Sequence, residues 1–218
     1  MTTHRTLSIN KIMSAAVFIC AALITSLFVY HLSKKPVQAN INAENGVLFS
    51  LPRELKPFSL INANGLTFSE KDFYQHWTLL FFGFTHCASI CPTTLEMLNR
   101  AYGKLHDAHP NLQVVLISLD PERDKPAILA HYVQSFNPAF IGASGKRQDL
   151  RKLQSELGIY AMKDTNRTTV NYQLQHTPSI LLINPQGKWV GLFNNRMKPS
   201  QFVTVVNHGI RLAESSSR

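Results

Sequence analysis

A strand runs directly into a cysteine-bearing loop within residues 78–92, which read TLLFFGFTHCASICP. The apolar run 78–82 is bounded by polar residues and Gly83, which is typical of a strand buried on both faces. Pro92 suits the first turn of a helix, because its missing N–H would have no partner there in any case. Apolar side chains then recur at helical spacing, at Leu95, Leu98, Tyr102 and Leu105.

The alternation of strands and helices continues towards the end of the chain. Further strands are predicted at 112–119, 179–183 and 188–193, and further helices at 128–136, 150–157 and 202–210. The turn signal Asn184-Pro185-Gln186-Gly187 joins the last two strands. This is an α/β layered order. It predicts a thioredoxin-like three-layer fold, in which a central mixed sheet is flanked by helices.

The composition excludes several classes of protein. The 218 residues suffice for one globular domain with a full core and a short extension. Three cysteines are too few for a disulfide-rich mini-protein. The net charge of +9 arises partly in residues 1–35, which hold four basic residues and no acidic residue. The other basic residues are scattered, which argues against a nucleic-acid partner.

An uncharged segment lies near the N-terminus, at residues 13–30, MSAAVFICAALITSLFVY. A helix of this length rises about 27 Å, close to the roughly 30 Å hydrocarbon core of a bilayer. A cleaved signal peptide is the alternative. However, the run is longer than a usual signal core, and no clear small-residue cleavage site follows it. We therefore predict a transmembrane anchor, in which Cys20 faces lipid.

Two thiols, Cys87 and Cys91, lie four positions apart in the loop and the following turn. At this spacing they can reach each other or share one ion. The start of a helix favours their thiolate forms. A redox disulfide in this fold normally has two intervening residues, whereas three are present here, which leaves room for a metal ion. The residues alone leave a redox pair and a metal site open.

A third candidate ligand is His176, which precedes the predicted strand 179–183. Pro178 occupies the place where a thioredoxin-like domain typically has a cis-proline beside the cysteine loop. The fold would therefore bring His176 close to both cysteines. Two thiolates and one imidazole form a soft, low-coordinate site that suits copper, whereas structural zinc prefers four ligands.

Two other polar residues are expected to be structural. His86 is next to Cys87, but in an extended segment its side chain points to the opposite side, so we do not expect it to be a ligand. Asp120 follows a buried strand, and with Pro121 in the first turn it is expected to form a turn and a helix cap. A role for Asp120 in shaping the site is the alternative, because α/β sites lie at strand carboxyl ends.

Three motifs occur in the same chain. They are Gly83-Phe84-Thr85-His86-Cys87 through Cys91-Pro92, then Ser118-Leu119-Asp120-Pro121-Glu122-Arg123-Asp124, then His176. Over about residues 48–213 the chain resembles the Sco/SenC family. These are membrane-anchored, thioredoxin-like copper proteins that help to assemble the CuA centre of cytochrome c oxidase. The resemblance implies that Cys87, Cys91 and His176 are the copper ligands.

The chain departs from the family pattern at three positions. Ala88 and Ser89 stand where the family often has Pro-Asp, and Gln175 stands where it often has aspartate. The resemblance implies a metallochaperone, rather than an enzyme, that holds one copper ion per chain. It would deliver copper to, or prepare, the CuA site of a respiratory cytochrome c oxidase. Its expected partners are the oxidase subunit that carries this site and a thiol-disulfide reductant or another copper carrier.

The alternative function is that of a membrane-tethered thiol-disulfide oxidoreductase. In it, Cys87 attacks a partner disulfide and Cys91 resolves the mixed disulfide. A peroxidase of the same fold class would need a threonine and an arginine around a nucleophilic cysteine. Thr85 is close to Cys87, but no arginine is close in sequence.

The expected organisation has five segments. They are a cytoplasmic leader (1–12), a transmembrane anchor (13–32), a linker (33–47), a thioredoxin-like copper-binding domain (48–213) and a tail (214–218). A short basic leader usually stays in the cytoplasm, which would place the domain in the periplasm. The prediction is a single-pass protein of a bacterial inner membrane.

Overall fold

The computed structural model of the chain describes residues 13, 19–26, 44–164 and 172–215. The chain divides into two compact units, Met1–Asn40 and Ile41–Arg218. Residues 19–26 are helical, and no helix within the described ranges is both long and apolar enough to cross a membrane. The predicted leader and most of the predicted anchor and linker lie outside the described residues.

The larger unit alternates strands and helices in the predicted order. Its strands are β1 (Gly46–Arg53), β2 (Leu60–Asn62), β3 (Thr67–Phe68), β4 (Trp77–Gly83), β5 (Leu112–Ser118), β6 (Ile141–Ser144), β7 (Ala161–Lys163), β8 (Leu174–His176), β9 (Ile180–Ile183) and β10 (Trp189–Phe193). Its helices are α1 (Ile90–Ala108), α2 (Pro126–Phe136), α3 (Arg147–Glu156) and α4 (Pro199–Ser215), and one 3-10 turn covers Glu70–Phe73. Every strand and helix predicted within residues 48–213 is present, with its ends shifted by a few residues.

Eight of the strands form one mixed sheet in the order β1-β10-β9-β4-β5-β6-β2-β3. β4 runs parallel to β5 and antiparallel to β9, and every residue of β4 is buried. The apolar run 78–82 explains this central place, because a strand with helices on both faces has no solvated side. β7 and β8 form a separate two-stranded sheet.

Helices cover both faces of the main sheet. Leu79 and Phe81 of β4 belong to one core, which also contains side chains of α1, α2 and α4. Leu80 and Phe82 belong to a second core, which contains side chains of α3 and of the 3-10 turn. Successive side chains of one strand thus enter opposite layers. The predicted mixed α/β arrangement, with a central sheet between helices, is confirmed.

The strands β1, β2, β3, β6, β7 and β8 are the part of the fold that the sequence patterns do not predict. β1 begins at Gly46, two residues inside the predicted linker 33–47, and it pairs with β10 at the end of the sheet. Its residues range from buried to exposed without regular alternation, so they carry no clear strand signal. α4 continues to Ser215, two residues into the predicted tail 214–218.

Candidate metal centre

The two cysteines lie at the junction between β4 and α1. Cys87 is in the connecting loop and is partly buried, whereas Cys91 is in the first turn of α1 and is fully buried. The backbone N–H of Cys91 donates to Cys87 Sγ at 3.4 Å. The first N–H groups of a helix have no partner within the helix, so a sulfur at this position is a natural acceptor.

Gly83, the last residue of β4, leaves the space that Cys91 occupies. A Cβ atom at residue 83 would lie 3.0 Å from Cys91 Sγ, 3.1 Å from Leu116 Cδ1 and 3.2 Å from Phe81 Cε1. All three neighbours are buried, so none of them can yield by moving into solvent. Glycine at this position therefore leaves room for the close approach of the Cys91 sulfur to the backbone of β4.

His176 is the last residue of β8, on the hairpin that is separate from the main sheet. Its Nδ1 lies 3.0 Å from the carbonyl oxygen of Thr177, so a neutral ring carries its proton on Nδ1 and donates it there. Nε2 keeps its lone pair and lies 3.5 Å from Cys91 Sγ. The rings of Phe81 and Phe84 pack edge-on against the imidazole, with ring centroids 6.0 Å away.

The proline that follows this histidine does not have the predicted geometry. No cis peptide bond occurs among the described residues, so the bond between Thr177 and Pro178 is trans. The extended pairing of the hairpin continues past His176, because the Thr177 N–H donates to the Tyr160 carbonyl at 3.0 Å. The Tyr160 N–H in turn donates to Thr177 Oγ1 at 3.0 Å. The prediction of a cis-proline is therefore wrong, although the histidine does lie beside the cysteines.

Cys87 Sγ, Cys91 Sγ and one ring nitrogen of His176, called here the three-donor cluster, all lie within 4.8 Å of one another. Bonds of about 2.0–2.3 Å at a three-coordinate metal put neighbouring donor atoms roughly 3.5–4.0 Å apart. The cluster is close to this spacing, so small side-chain rotations suffice to bring all three donors onto one ion. It is the only cluster of three or more His, Cys, Asp or Glu ligand atoms found in the part of the chain that the structure describes.

The two thiols have very different acidities. The hydrogen bond with the Cys91 side chain is the main cause that lowers the pKa of Cys87 to about 4. The side-chain contact with His176 and hydrogen bonds from backbone N–H groups add to it, while partial burial opposes it. The same hydrogen bond, together with burial and the negative charge on Cys87, raises the pKa of Cys91 far above its ordinary value. At neutral pH the pair consists of an accessible thiolate and a buried thiol.

Asp120 lies at a turn, as predicted, but it does not cap a helix. α2 begins at Pro126, so Pro126 rather than Pro121 fills the first helical turn. Asp120 is 2% exposed, and its carboxylate accepts hydrogen bonds from Arg123 Nε at 2.5 Å and from Tyr172 Oη at 2.5 Å. The Asp120 side chain is therefore a buried ion-pair partner of Arg123.

Asp124 is a second buried acid in the same turn. Its carboxylate accepts hydrogen bonds from the Thr85 N–H at 2.9 Å, Thr85 Oγ1 at 2.5 Å and Ser118 Oγ at 2.6 Å. The Thr85 hydroxyl, which a peroxidase would need beside its nucleophile, is thus committed to Asp124. His86 Nδ1 lies 3.8 Å from Asp124 Oδ1, and His86 is not part of the three-donor cluster. The sequence assigns no role to Asp124 or Tyr172, because their partners are distant along the chain.

The fold is a thioredoxin-like α/β domain, and its site brings two thiols and one imidazole together. These two features place the chain in a class of thiol proteins that are able to hold a soft metal ion. The chain belongs to the SCO1/SenC family, whose model matches residues 50–211. It is 32% identical over 154 residues to the mitochondrial SCO2 homolog of Danio rerio, covering 69% of this chain and 55% of that protein. The chain thus spans little more than half the length of that relative.

Two solved structures with copper bound are also similar to this chain. One is ScoI of Arabidopsis thaliana, with 32% identity and a TM-score of 0.66, which covers 72% of this chain and 98% of that chain. The other is ScoI of Bradyrhizobium japonicum, with 31% identity and a TM-score of 0.64, which covers 71% of this chain and 98% of that chain. The resemblance to the Sco/SenC family noted in the sequence is confirmed.

Proposed function

We propose that this protein is a copper metallochaperone that holds one copper ion and delivers it to, or prepares, the CuA site of a respiratory cytochrome c oxidase. The observation that carries the proposal is the convergence of Cys87, Cys91 and His176, whose donor atoms lie within 4.8 Å of one another. Two sulfurs and one nitrogen are a soft donor set that suits copper, whereas structural zinc prefers four ligands. The copper bound in the two similar ScoI structures supports the same cargo.

The donors are arranged to accept this cargo. Cys87 is a thiolate at neutral pH, and Cys91 releases its proton when its sulfur binds the ion. The Thr177 carbonyl fixes the proton of His176 on Nδ1, so that Nε2 can act as the third ligand. Because Cys87 is only partly buried, an acceptor thiolate can approach the ion from its side. The ion then passes on by stepwise ligand exchange, without a change in its oxidation state.

The proposal includes a place in the cell. Residues 13–32 form the single anchor of a bacterial inner-membrane protein, with the leader 1–12 in the cytoplasm and the domain 48–213 in the periplasm. The uncharged run and the basic leader support this arrangement. Labelling of Cys87 by a membrane-impermeant thiol reagent in spheroplasts tests it. Protection of Cys87 until the membrane is lysed would exclude a periplasmic domain.

Copper binding by the reduced full chain tests the proposal directly. The wild type is expected to bind one copper ion. The variants Cys87→Ser, Cys91→Ser and His176→Ala are each expected to lose more affinity than the roughly 10–100-fold that an outer-shell change costs. His131→Ala is the matched control, because this histidine is exposed on α2 and lies outside the cluster. If His176→Ala binds copper with unchanged affinity, the proposal of a three-ligand site is wrong.

The second candidate function is that of a thiol-disulfide oxidoreductase, and the unequal acidity of the two thiols favours it. The Cys87 thiolate attacks a partner disulfide, forms a mixed disulfide and releases one partner thiolate. Cys91 loses its proton and attacks Cys87 Sγ, which releases the second partner thiolate and leaves a Cys87–Cys91 disulfide. The partner is reduced by two electrons and this protein is oxidised by two, so a thiol reductant must restore it.

Disulfide reduction by the metal-free protein separates the two candidates. The oxidoreductase requires turnover that depends on both cysteines and is indifferent to His176→Ala. The metallochaperone requires copper affinity that depends on all three residues. A protein that shows only the first dependence is an enzyme and not a copper carrier.

A further inference from the structure

The three donors come from segments that lie outside the main sheet. His176 ends an arm, residues 172–176, whose strand β8 pairs only with β7 and not with the eight-stranded sheet. The two sulfurs belong to the cysteine loop, residues 84–89, and to the first turn of α1. Beyond the arm, the pairing of Ile180 in β9 with Phe81 in β4 fixes the position of the chain. The start of the arm, at Tyr172, depends instead on side-chain contacts, which converge on the turn that follows β5.

Arg123 of that turn holds the arm. Its NH1 group donates to the Tyr172 carbonyl at 3.1 Å, and its Cζ lies 3.6 Å from the centroid of the Tyr172 ring. Its Nε donates to Asp120 at 2.5 Å, and the Tyr172 hydroxyl donates to the other oxygen of Asp120 at 2.5 Å. These contacts form a closed and largely buried triangle. Tyr172 precedes His176 by four residues, so the triangle sets where the arm begins.

Asp124, the next residue, holds the cysteine loop. It accepts hydrogen bonds from both the N–H and the hydroxyl of Thr85, which precedes Cys87 by two residues. Arm and loop also touch directly, because Gln173 Nε2 donates to the His86 carbonyl at 3.0 Å. Arg123 and Asp124 are neighbours in one turn. Arg123 therefore binds the arm and Asp124 binds the cysteine loop, the two segments that carry donors.

The turn itself is stiff enough to transmit this constraint. The N–H groups of Arg123 and Asp124 both donate to the Asp120 carbonyl, at 3.2 Å and 2.9 Å. Asp120 and Asp124 are 2% and 1% exposed. Hydrogen bonds to a buried charged group are stronger than those between neutral groups. The arm cannot move away from the loop without breaking several of them.

We propose that Arg123 and Asp124 are positioning residues that set the distance between the His176 imidazole and the two sulfurs. Neither residue touches the ion. The inference rests on the proposed function, because the donor set that is positioned is the one that would hold copper. Arginine suits this place better than lysine, since its planar fork binds Asp120 and the Tyr172 carbonyl while its flat face stacks on the Tyr172 ring.

Arg123→Met in the reduced full chain is the first test, with Cu(I) affinity measured by competition against a chromophoric chelator. We expect a fall of roughly 10–100-fold, the range for loss of an outer-shell partner. X-ray absorption is expected to show a longer and more disordered nitrogen distance, with both sulfurs retained. Arg147→Met is the matched control, because Arg147 is exposed and pairs with Glu122 of the same turn rather than with Asp120 or Tyr172. It should leave affinity and neighbours unchanged.

A double-mutant comparison separates positioning from a general structural role. In a His176→Ala background, Arg123→Met is expected to cause no further loss of affinity, because no imidazole remains to be positioned. A further loss as large as in the wild-type background would overturn the inference. Tyr172→Phe keeps the ring and the carbonyl but removes the hydroxyl bond to Asp120. Tyr172→Phe is expected to change copper affinity and the nitrogen signal in the same direction as Arg123→Met. If Arg123→Met does not fold, Tyr172→Phe tests the positioning role in its place.

The outcomes for the two proposals are distinguishable. If His176→Ala weakens copper binding while Arg123→Met and Tyr172→Phe both keep wild-type affinity and the nitrogen neighbour, the positioning role is wrong and copper carriage stands. If the wild type binds no copper, or His176→Ala is silent, both proposals fall.

Discussion

Replacing Gly83 by alanine should displace the sulfur of Cys91. The added Cβ would meet buried atoms at 3.0, 3.1 and 3.2 Å on three sides, and overpacking of this kind costs about 1–3 kcal/mol. The matched control is Gly103→Ala in α1, where an added Cβ meets nothing within 4 Å. Alanine is about 0.8–1.0 kcal/mol more favourable than glycine inside a helix. Alanine should therefore lower the free energy of unfolding at residue 83 and raise it at residue 103, with a difference of about 2–4 kcal/mol between the two variants.

Urea unfolding of the reduced, copper-free full chain measures this difference. With slopes of about 1–3 kcal/mol per molar urea, the midpoints of the two variants should lie on the order of 1 M apart. Copper affinity should fall in Gly83→Ala, because Cys91 is a proposed ligand, and should not change in Gly103→Ala. A Gly83→Ala protein with wild-type midpoint and wild-type copper affinity would refute the argument that glycine is needed for space.

Two further predictions concern the thiolate and the buried ion pair. The alkylation rate of Cys87 in the metal-free protein should be nearly constant from about pH 6 to about pH 8, because its pKa is lowered to about 4 and the thiolate fraction is already complete. Peptide mass spectrometry measures this rate, and a tenfold rise per pH unit would contradict the prediction. Arg147→Met breaks the exposed pair with Glu122 and should change the free energy of unfolding by less than about 1 kcal/mol. Arg123→Met leaves Asp120 buried without its partner and should cost about 3–5 kcal/mol; equal urea midpoints for these two variants would contradict this.

The central strands and the helices could be predicted because their signals are local. The run that became β4 contains no charged residue, and its one polar side chain, Thr78, is buried like the rest, which fits a place between two helical layers. β1 could not be predicted in this way. It is stabilised by pairing with β10, and its partners follow it by more than a hundred residues.

The three donor residues of the candidate site could be predicted from the sequence, but the contacts that place them could not. The spacing of Cys87 and Cys91 is a local property, and the fold class implied that His176 would lie nearby. The cis-proline expected from the same fold class is absent, because the hairpin pairing continues through Thr177. The helix-cap role expected for Asp120 is also wrong, because its side chain finds partners in a later segment.

The amino-acid sequence alone determined the layered α/β order and the pair of thiols at the start of a helix. Both follow from the periodicity of neighbouring residues and from spacings of a few positions. The tertiary structure alone decided which thiol is the thiolate and which residues hold the histidine arm. These properties depend on burial and on hydrogen bonds between groups far apart in the chain, such as Asp124 with Thr85 and Tyr172 with Asp120. Such contacts exist only once the chain has folded and water has been excluded from between them.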